Sequence, residues 1–308
     1  MSLAPEIKAF LEAGAAAGLP QVWEAPVDII RRNTQSRPAL AGPSEPLFEV
    51  INRYIPGPTA DLPIRIYRPT SATKVPAIVY FHGGGWVLNF LDIYDASLSR
   101  LANETGATIV SVNYQKAPEH PFPIPFDDCF ATLQWVIDNA GQLSIDPSRI
   151  GVAGDSAGAN LASAVALKAR DQSIPLAFQL LIYPCNARNF STKSYQENAT
   201  GYGLSTQAMK WFWDQYLQGH QHDQNPYAVP MSAPSFKNLA PAIIVTAQYD
   251  PLLSDGQEYA ERLKSDGVSV SYREYPGMIH GFFTNVAVTP SATEAILYCA
   301  EEIVKITG

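Results

Sequence analysis

Six short apolar runs, rich in β-branched and aromatic residues, alternate along the chain with longer stretches of helical spacing. They lie at 77–81 (AIVYF), 108–112 (TIVSV), 150–153 (IGVA), 177–183 (AFQLLIY), 243–247 (IIVTA) and 268–274 (VSVSYRE). A run that is apolar at successive positions buries both faces of a strand, and this happens where helices cover both sides of a mainly parallel sheet. Helical spacing appears at 92–105, 125–140, 157–170, 254–266 and 291–306, with Ser254 and Ser291 as expected N-caps and Gly106, Gly141 and Gly267 as stops. Two earlier runs, 47–54 and 64–67, read as antiparallel edge strands. The expected fold class is therefore α/β, a mainly parallel central sheet flanked by helices.

Two segments break the alternation. Residues 1–45 hold two amphipathic helix candidates separated by Leu19 and Pro20. Residues 186–224 contain STQAMKWFWDQYL, which has too many aromatics for a freely exposed helix. Both are expected to pack together as a helical cap, 1–45 at the N-terminus and 186–224 as an insertion in a core domain of 46–308. A length of 308 residues, 46% of them apolar, suits one such core with an insertion.

The bulk charge excludes some functions. At −8, with no basic stripe, the chain is not expected to bind nucleic acid. Its first residues carry Pro5, Glu6, Lys8 and Glu12 before any apolar run, so no secretory leader is expected, and no apolar stretch is long enough for a membrane span. Cys129, Cys185 and Cys299 are odd in number and widely spaced, which suits free thiols in a reducing cytoplasm and neither a disulfide framework nor a metal site.

GDSAG at 154–158 sits between the run IGVA and the helix pattern NLASAVALKAR. A sharp strand-to-helix turn there would present the Ser156 hydroxyl at the C-terminal end of the sheet, and the small Gly154, Ala157 and Gly158 allow it. An ordinary glycine-rich βα turn with an N-cap serine would look the same locally. The run AIVYF leads directly into His82-Gly83-Gly84-Gly85-Trp86. Unshielded N–H groups of Gly83 and Gly84, with that of Ala157, are the expected donors to an oxyanion. A phosphate-binding loop fits poorly, because neither GxGxxG spacing nor a following Lys-Ser/Thr is present.

A serine needs a base. Of five histidines, His82 reads as a loop-fixing residue, His120 lies in the proline-rich APEHPFPIP, and His220 and His222 lie in a polar surface run. His280, in YPGMIHGFF after the last strand candidate, falls at the same sheet edge as Ser156. Asp250, straight after IIVTA and pinned by Pro251, is the expected orienter; Asp255 and Asp266 read as surface residues of a helix, and Asp155 adjoins the serine. The order serine, aspartate, histidine is that of an α/β-hydrolase.

The runs HGGGW, YQKAPEHPFP at 114–123, GDSAG, YDPLLSDG at 249–256 and HGF at 280–282 together resemble the bacterial hormone-sensitive-lipase-like (family IV) esterases over about 75–285. The resemblance implies a carboxylesterase for short- to medium-chain esters with a helical cap, nucleophile Ser156, acid Asp250, base His280, and oxyanion donors Gly83, Gly84 and Ala157. Gln115-Lys116, Asn89 and the stretch LLSDG depart from the family pattern. Neither cofactor nor metal is expected. The partner is a small ester, with a homodimer left open. Trp86, Tyr183, Tyr202, Leu204, Phe212, Ile279 and Phe282 are the candidate substrate-binding residues. A non-catalytic small-molecule receptor, or an amide or lactone hydrolase, remains the alternative.

Overall fold

A computed structural model describes residues 2–308. Eight strands form one sheet: β1 Glu49–Ile55, β2 Leu62–Arg68, β3 Val75–Phe81, β4 Thr108–Val112, β5 Ile145–Asp155, β6 Gln179–Ile182, β7 Ala242–Tyr249 and β8 Val270–Ile279, in the order β1-β2-β4-β3-β5-β6-β7-β8. β2 is antiparallel to both neighbours, and every other pairing is parallel. The helices are α1 Pro5–Ala16, α2 Val27–Asn33, α3 Pro38–Ala41, α4 Asp95–Thr105, α5 Ile124–Asp138, α6 Ala157–Asp171, α7 Lys193–Glu197, α8 Thr206–Leu217, α9 Leu253–Ser265 and α10 Pro290–Thr307.

The strands follow the two-residue period of a sheet covered on both faces. Along β3, Ala77, Val79 and Phe81 enter one apolar core, with α5 and α6, while Ile78 and Tyr80 enter the other, beneath α4 and α10. This is why the apolar runs show no alternation in sequence.

Several boundaries differ from expectation. β8 continues to Ile279 because its pairing with β7 survives a register shift and ends at Tyr249 opposite Ile279. Thr289, not Ser291, caps α10; its hydroxyl accepts the Ser291 N–H. Ser254 lies within the first turn of α9, where its N–H donates to Ser194 Oγ at 3.0 Å. α5 ends before Gly141, at Asn139, whereas Gly106 ends α4 in the left-handed conformation as expected. Asp255 is not a surface residue: it is fully buried, accepts the Ala187 N–H at 3.3 Å, and burial pushes its carboxyl well above the usual range.

Candidate active site

β5 ends at Asp155, and Ser156 turns the chain into α6 with φ +56° and ψ −122°. This is a costly conformation for a residue with a side chain. It is held by the Ser156 N–H, which donates to Ile182 O at 2.8 Å, and by close approach of the flanking chain: a Cβ at Gly158 would overlap the Phe81 carbonyl, and one at Gly154 would overlap Gly158. The glycines of the motif are therefore packing requirements.

His280 follows the last residue of β8, and Gly281 turns the chain away in the left-handed region. Asp250 follows β7 and is fully buried. Its Oδ2 lies 2.7 Å from His280 Nδ1, and its Oδ1 accepts the Leu252 N–H at 2.8 Å. His280 Nε2 lies 2.9 Å from Ser156 Oγ. In the tautomer with the proton on Nδ1, toward the carboxylate, Nε2 is an acceptor facing the Ser156 hydroxyl. The Tyr183 ring packs against the imidazole, centroids 4.6 Å apart. Thus three side chains from three strand ends meet at one edge of the sheet.

The glycine loop corrects one expectation. The Gly83 N–H donates to Asp155 Oδ1 at 2.8 Å and points into the protein, so it is not available to an oxyanion. Its carbonyl accepts from His82 Nδ1 at 2.7 Å and Asn89 Nδ2 at 3.2 Å, which fixes the whole peptide. The next two residues, Gly84 and Gly85, line the cavity with Ser156, and among the described residues their N–H groups meet no acceptor. Ala157 is the first residue of α6, so its N–H has no intrahelical partner. Sequence reasoning missed Gly85. The run of three glycines was visible, but which peptide is anchored depends on Asp155, which lies far away in the chain.

Asp155 also accepts from Tyr80 Oη at 2.9 Å and Tyr94 Oη at 3.3 Å. Burial pushes its carboxyl up to about 6, against the opposing effect of the Gly83 and Tyr80 bonds. His82 stacks on Tyr114, ring centroids 4.4 Å apart, and burial, helped by the Lys116 charge, pushes it down to about 3. It is a neutral support of the loop.

A cavity of about 260 Å³ opens over Ser156. Leu204, Phe212 and Ile279 line it as expected, but Trp86, Tyr183, Tyr202 and Phe282 do not. Trp86 is fully buried and stacks on Tyr216 at 4.3 Å and near-parallel planes. Phe282 packs behind Tyr183 and against Tyr275. Tyr202 pairs with Tyr249 at 5.0 Å. These aromatics brace the site from behind, because large rings gain most where they are enclosed on all sides. The missed lining residues include Ala208 and Met209 on the Phe212 side of α8, and Phe10, Val22 and Leu40 from the N-terminal segment. The first two share helical spacing with Phe212; nothing in the sequence marks the other three.

The family departures become local packing. The Gln115 amide donates to Thr59 Oγ1 at 2.6 Å and reaches Asp128, while Lys116 bonds Asn113 Oδ1 and the Tyr114 carbonyl, its ammonium pushed down to about 7 by burial and the nearby Arg31. His220 pairs with Asp223 at 2.8 Å, and His222 lies beside Phe122. Among the described residues no group of His, Cys, Asp or Glu could hold a metal ion, and no helix is long and apolar enough to cross a membrane. The three cysteines are free and buried, Cys185 at the cavity wall.

An eight-stranded, mainly parallel sheet with a serine at a strand-to-helix turn defines a class, and the match to its sequence profile covers residues 78–284: the chain belongs to the α/β-hydrolase fold family, in its hormone-sensitive-lipase-like branch. It is 42% identical over 240 residues to carboxylesterase NlhH of Mycobacterium tuberculosis, covering 76% of this chain and 75% of that one. An arylesterase of Saccharolobus solfataricus is 34% identical over 306 residues, 99% of this chain and all of the relative. Among solved structures, a hyperthermophilic esterase from the archaeon Pyrobaculum calidifontis superposes with a TM-score of 0.93 at 37% identity, over 99% of each chain.

Proposed function

We propose that Ser156, His280 and Asp250 act as nucleophile, base and orienter of a carboxylesterase, with Gly84, Gly85 and Ala157 as oxyanion donors. The chain is a carboxylic ester hydrolase, in keeping with the carboxylesterase and arylesterase relatives. The observation that carries the finer reading is the Ser156–His280–Asp250 chain of contacts at 2.9 and 2.7 Å, in a cavity that Gly84 and Gly85 also line.

In the first half-reaction His280 Nε2 takes the hydroxyl proton as Ser156 Oγ bonds to the ester carbonyl carbon. The carbonyl oxygen gains the negative charge and is met by preorganised N–H donors, each typically worth about 3–4 kcal/mol in the transition state. His280 then returns the proton to the departing alcohol, leaving an acyl-serine. Water attacks that ester by the same route, its proton passing to His280 and then to Ser156 Oγ. Buried Asp250, 2.7 Å from Nδ1, holds the tautomer that leaves Nε2 facing the serine.

A cavity of about 260 Å³ lies at the small end of ligand pockets, which supports short- to medium-chain esters. Residues 1–45 and 186–224 serve as the cap that closes it. Three free buried cysteines suit a reducing cytoplasm. The test is a panel of p-nitrophenyl esters of rising acyl length, run beside Ser156→Ala, with organophosphate labelling mapped by mass spectrometry. Turnover highest on short and medium chains, with label on Ser156, is expected. Unchanged turnover in Ser156→Ala would remove the assignment.

A further inference from the structure

The wall of the cavity that faces Asn89 and Tyr94 carries one charge with no counterpart. Among the described residues, the one Arg or Lys on that lining is Arg37, from the turn between α2 and α3. The carboxylate on the lining, Asp155, already accepts three hydrogen bonds, from Gly83, Tyr80 and Tyr94. Among the described residues Arg37 forms no ion pair, and the one hydrogen bond of its side chain is a long one, from Nη1 to Asn89 Oδ1 at 3.4 Å. Arginines elsewhere have firm partners: Arg31 pairs with Glu119, Arg65 with Asp92 and Asp95, and Arg188 with Asp214 and Asp223, while Arg262 donates to the Met231 and Ala233 carbonyls and Arg53 and Arg273 lie over aromatic rings. In a molecule of net charge −8, an arginine without a carboxylate on the lining of the cavity that holds Ser156 is conspicuous.

Burial pushes the Tyr94 and Tyr183 phenols up, and the Arg37 charge opposes that at both. Asn89, where the family pattern often has glycine, supplies the contact that holds the guanidinium there; the same amide donates to Gly83 O and to Tyr94 Oη at 3.1 Å. A guanidinium presents a planar fork of donors, which a carboxylate matches with two parallel bonds. Leu40 and Ile93, on the same lining, suit the short apolar stem of such a substrate.

We propose that Arg37, held by Asn89, recognises a carboxylate on one arm of the ester, so that the preferred substrates are short esters carrying a free carboxylate. This rests on the esterase reading above. The preference should weaken with added salt, because Arg37 is exposed at the cavity mouth.

The test compares kcat/KM on two matched pairs: the p-nitrophenyl hemiester of glutarate against p-nitrophenyl pentanoate, and the butyrate ester of 4-hydroxybenzoate against phenyl butyrate. The first pair puts the charge on the acyl arm, the second on the alcohol arm. In Arg37→Gln the anionic-to-neutral ratio is expected to fall about tenfold in one of the pairs, with Arg37→Lys in between. A ratio within twofold of the native value in both pairs overturns the proposal while leaving the esterase reading intact. Failure of the native protein to turn over any of the four esters would instead overturn the esterase reading, and this inference with it.

Discussion

The floor and the roof of the cavity are held together by different physics. The floor is built from the ends of β3, β5, β7 and β8, and its polar groups are tied down: Asp250 to His280 and Leu252, Asp155 to Gly83, Tyr80 and Tyr94. The roof is built from α1–α3 and α8, which contribute mainly apolar lining such as Phe10, Leu40, Met209 and Phe212. Its N-terminal part touches the core through a few bonds, among them Ala4 N–H to Gly277 O at 3.2 Å and the Arg31 guanidinium to the carbonyls of Val87 and Ala117. It leaves Leu19, Trp23 and Ile29 exposed. Directional bonds fix the proposed reaction centre, and non-directional packing shapes what enters. Changes in the floor should therefore alter rate, and changes in the roof should alter selectivity.

The sharpest break is expected at the nucleophile. Ser156→Ala should cost on the order of 10⁴–10⁶ in kcat, with the unfolding temperature little changed or raised, since the strained serine keeps its packing. Purified protein with a few per cent of native turnover would contradict the floor assignment.

Trp86 and Phe212 test the boundary between the two regions, because both looked like pocket residues in sequence. Trp86→Ala removes a fully enclosed indole stacked on Tyr216 and should cost about 3–5 kcal/mol of stability. Phe212→Ala opens the cavity wall against Gly85 and should move the acyl-length optimum upward, with a smaller stability loss. Chemical denaturation paired with an ester panel separates them. If Trp86→Ala shifted chain-length preference and left stability untouched, that residue would belong to the pocket after all.

Asp155 should matter through the glycine loop. Asp155→Ala frees the Gly83 peptide, and with it the orientation of the Gly84 and Gly85 donors, so kcat should fall about 100-fold with a lesser effect on KM. Asp155→Asn keeps an oxygen facing the Gly83 N–H and should recover most of that rate. A purely structural role would lower the amount of folded protein and leave kcat per folded molecule unchanged in both variants.

The same contrast explains what could be read from the chain. The strand runs, GDSAG, Asp250 and His280 were legible because strand ends must converge at one sheet edge, so short motifs after apolar runs carry three-dimensional information; the order of strands within the sheet was not. Gly83 was misassigned because a peptide's orientation depends on a partner, Asp155, reached only through the fold. Asp255 looked exposed because a carboxylate within a helix pattern usually is, and its burial against Ala187 depends on the insertion packing over α9. The roof was least legible. Apolar packing has no sequence marker, and the prominent aromatics Trp86, Tyr183 and Phe282 proved to be buttresses while the modest Ala208 and Val22 line the cavity.

The smallest expected effect concerns pH, and it too belongs to the floor. His82 titrates near 3 against its ordinary 6.5, so between those values the unfolded chain holds a proton that the folded one lacks, and stability falls as pH falls. Asp155, held near 6 against 3.8, acts oppositely: between those values the folded state holds the proton, so its contribution rises as pH falls. Above pH 6 the His82 effect stands nearly alone, and below it the two partly cancel. Replacing His82 by Gln removes one side of this balance. The stability difference between His82→Gln and the native protein should therefore shift in favour of the variant by about 2 kcal/mol from pH 7 to pH 5. Urea midpoints at the two pH values measure the shift. A constant difference would mean that the buried imidazole is not what makes the loop sensitive to acid.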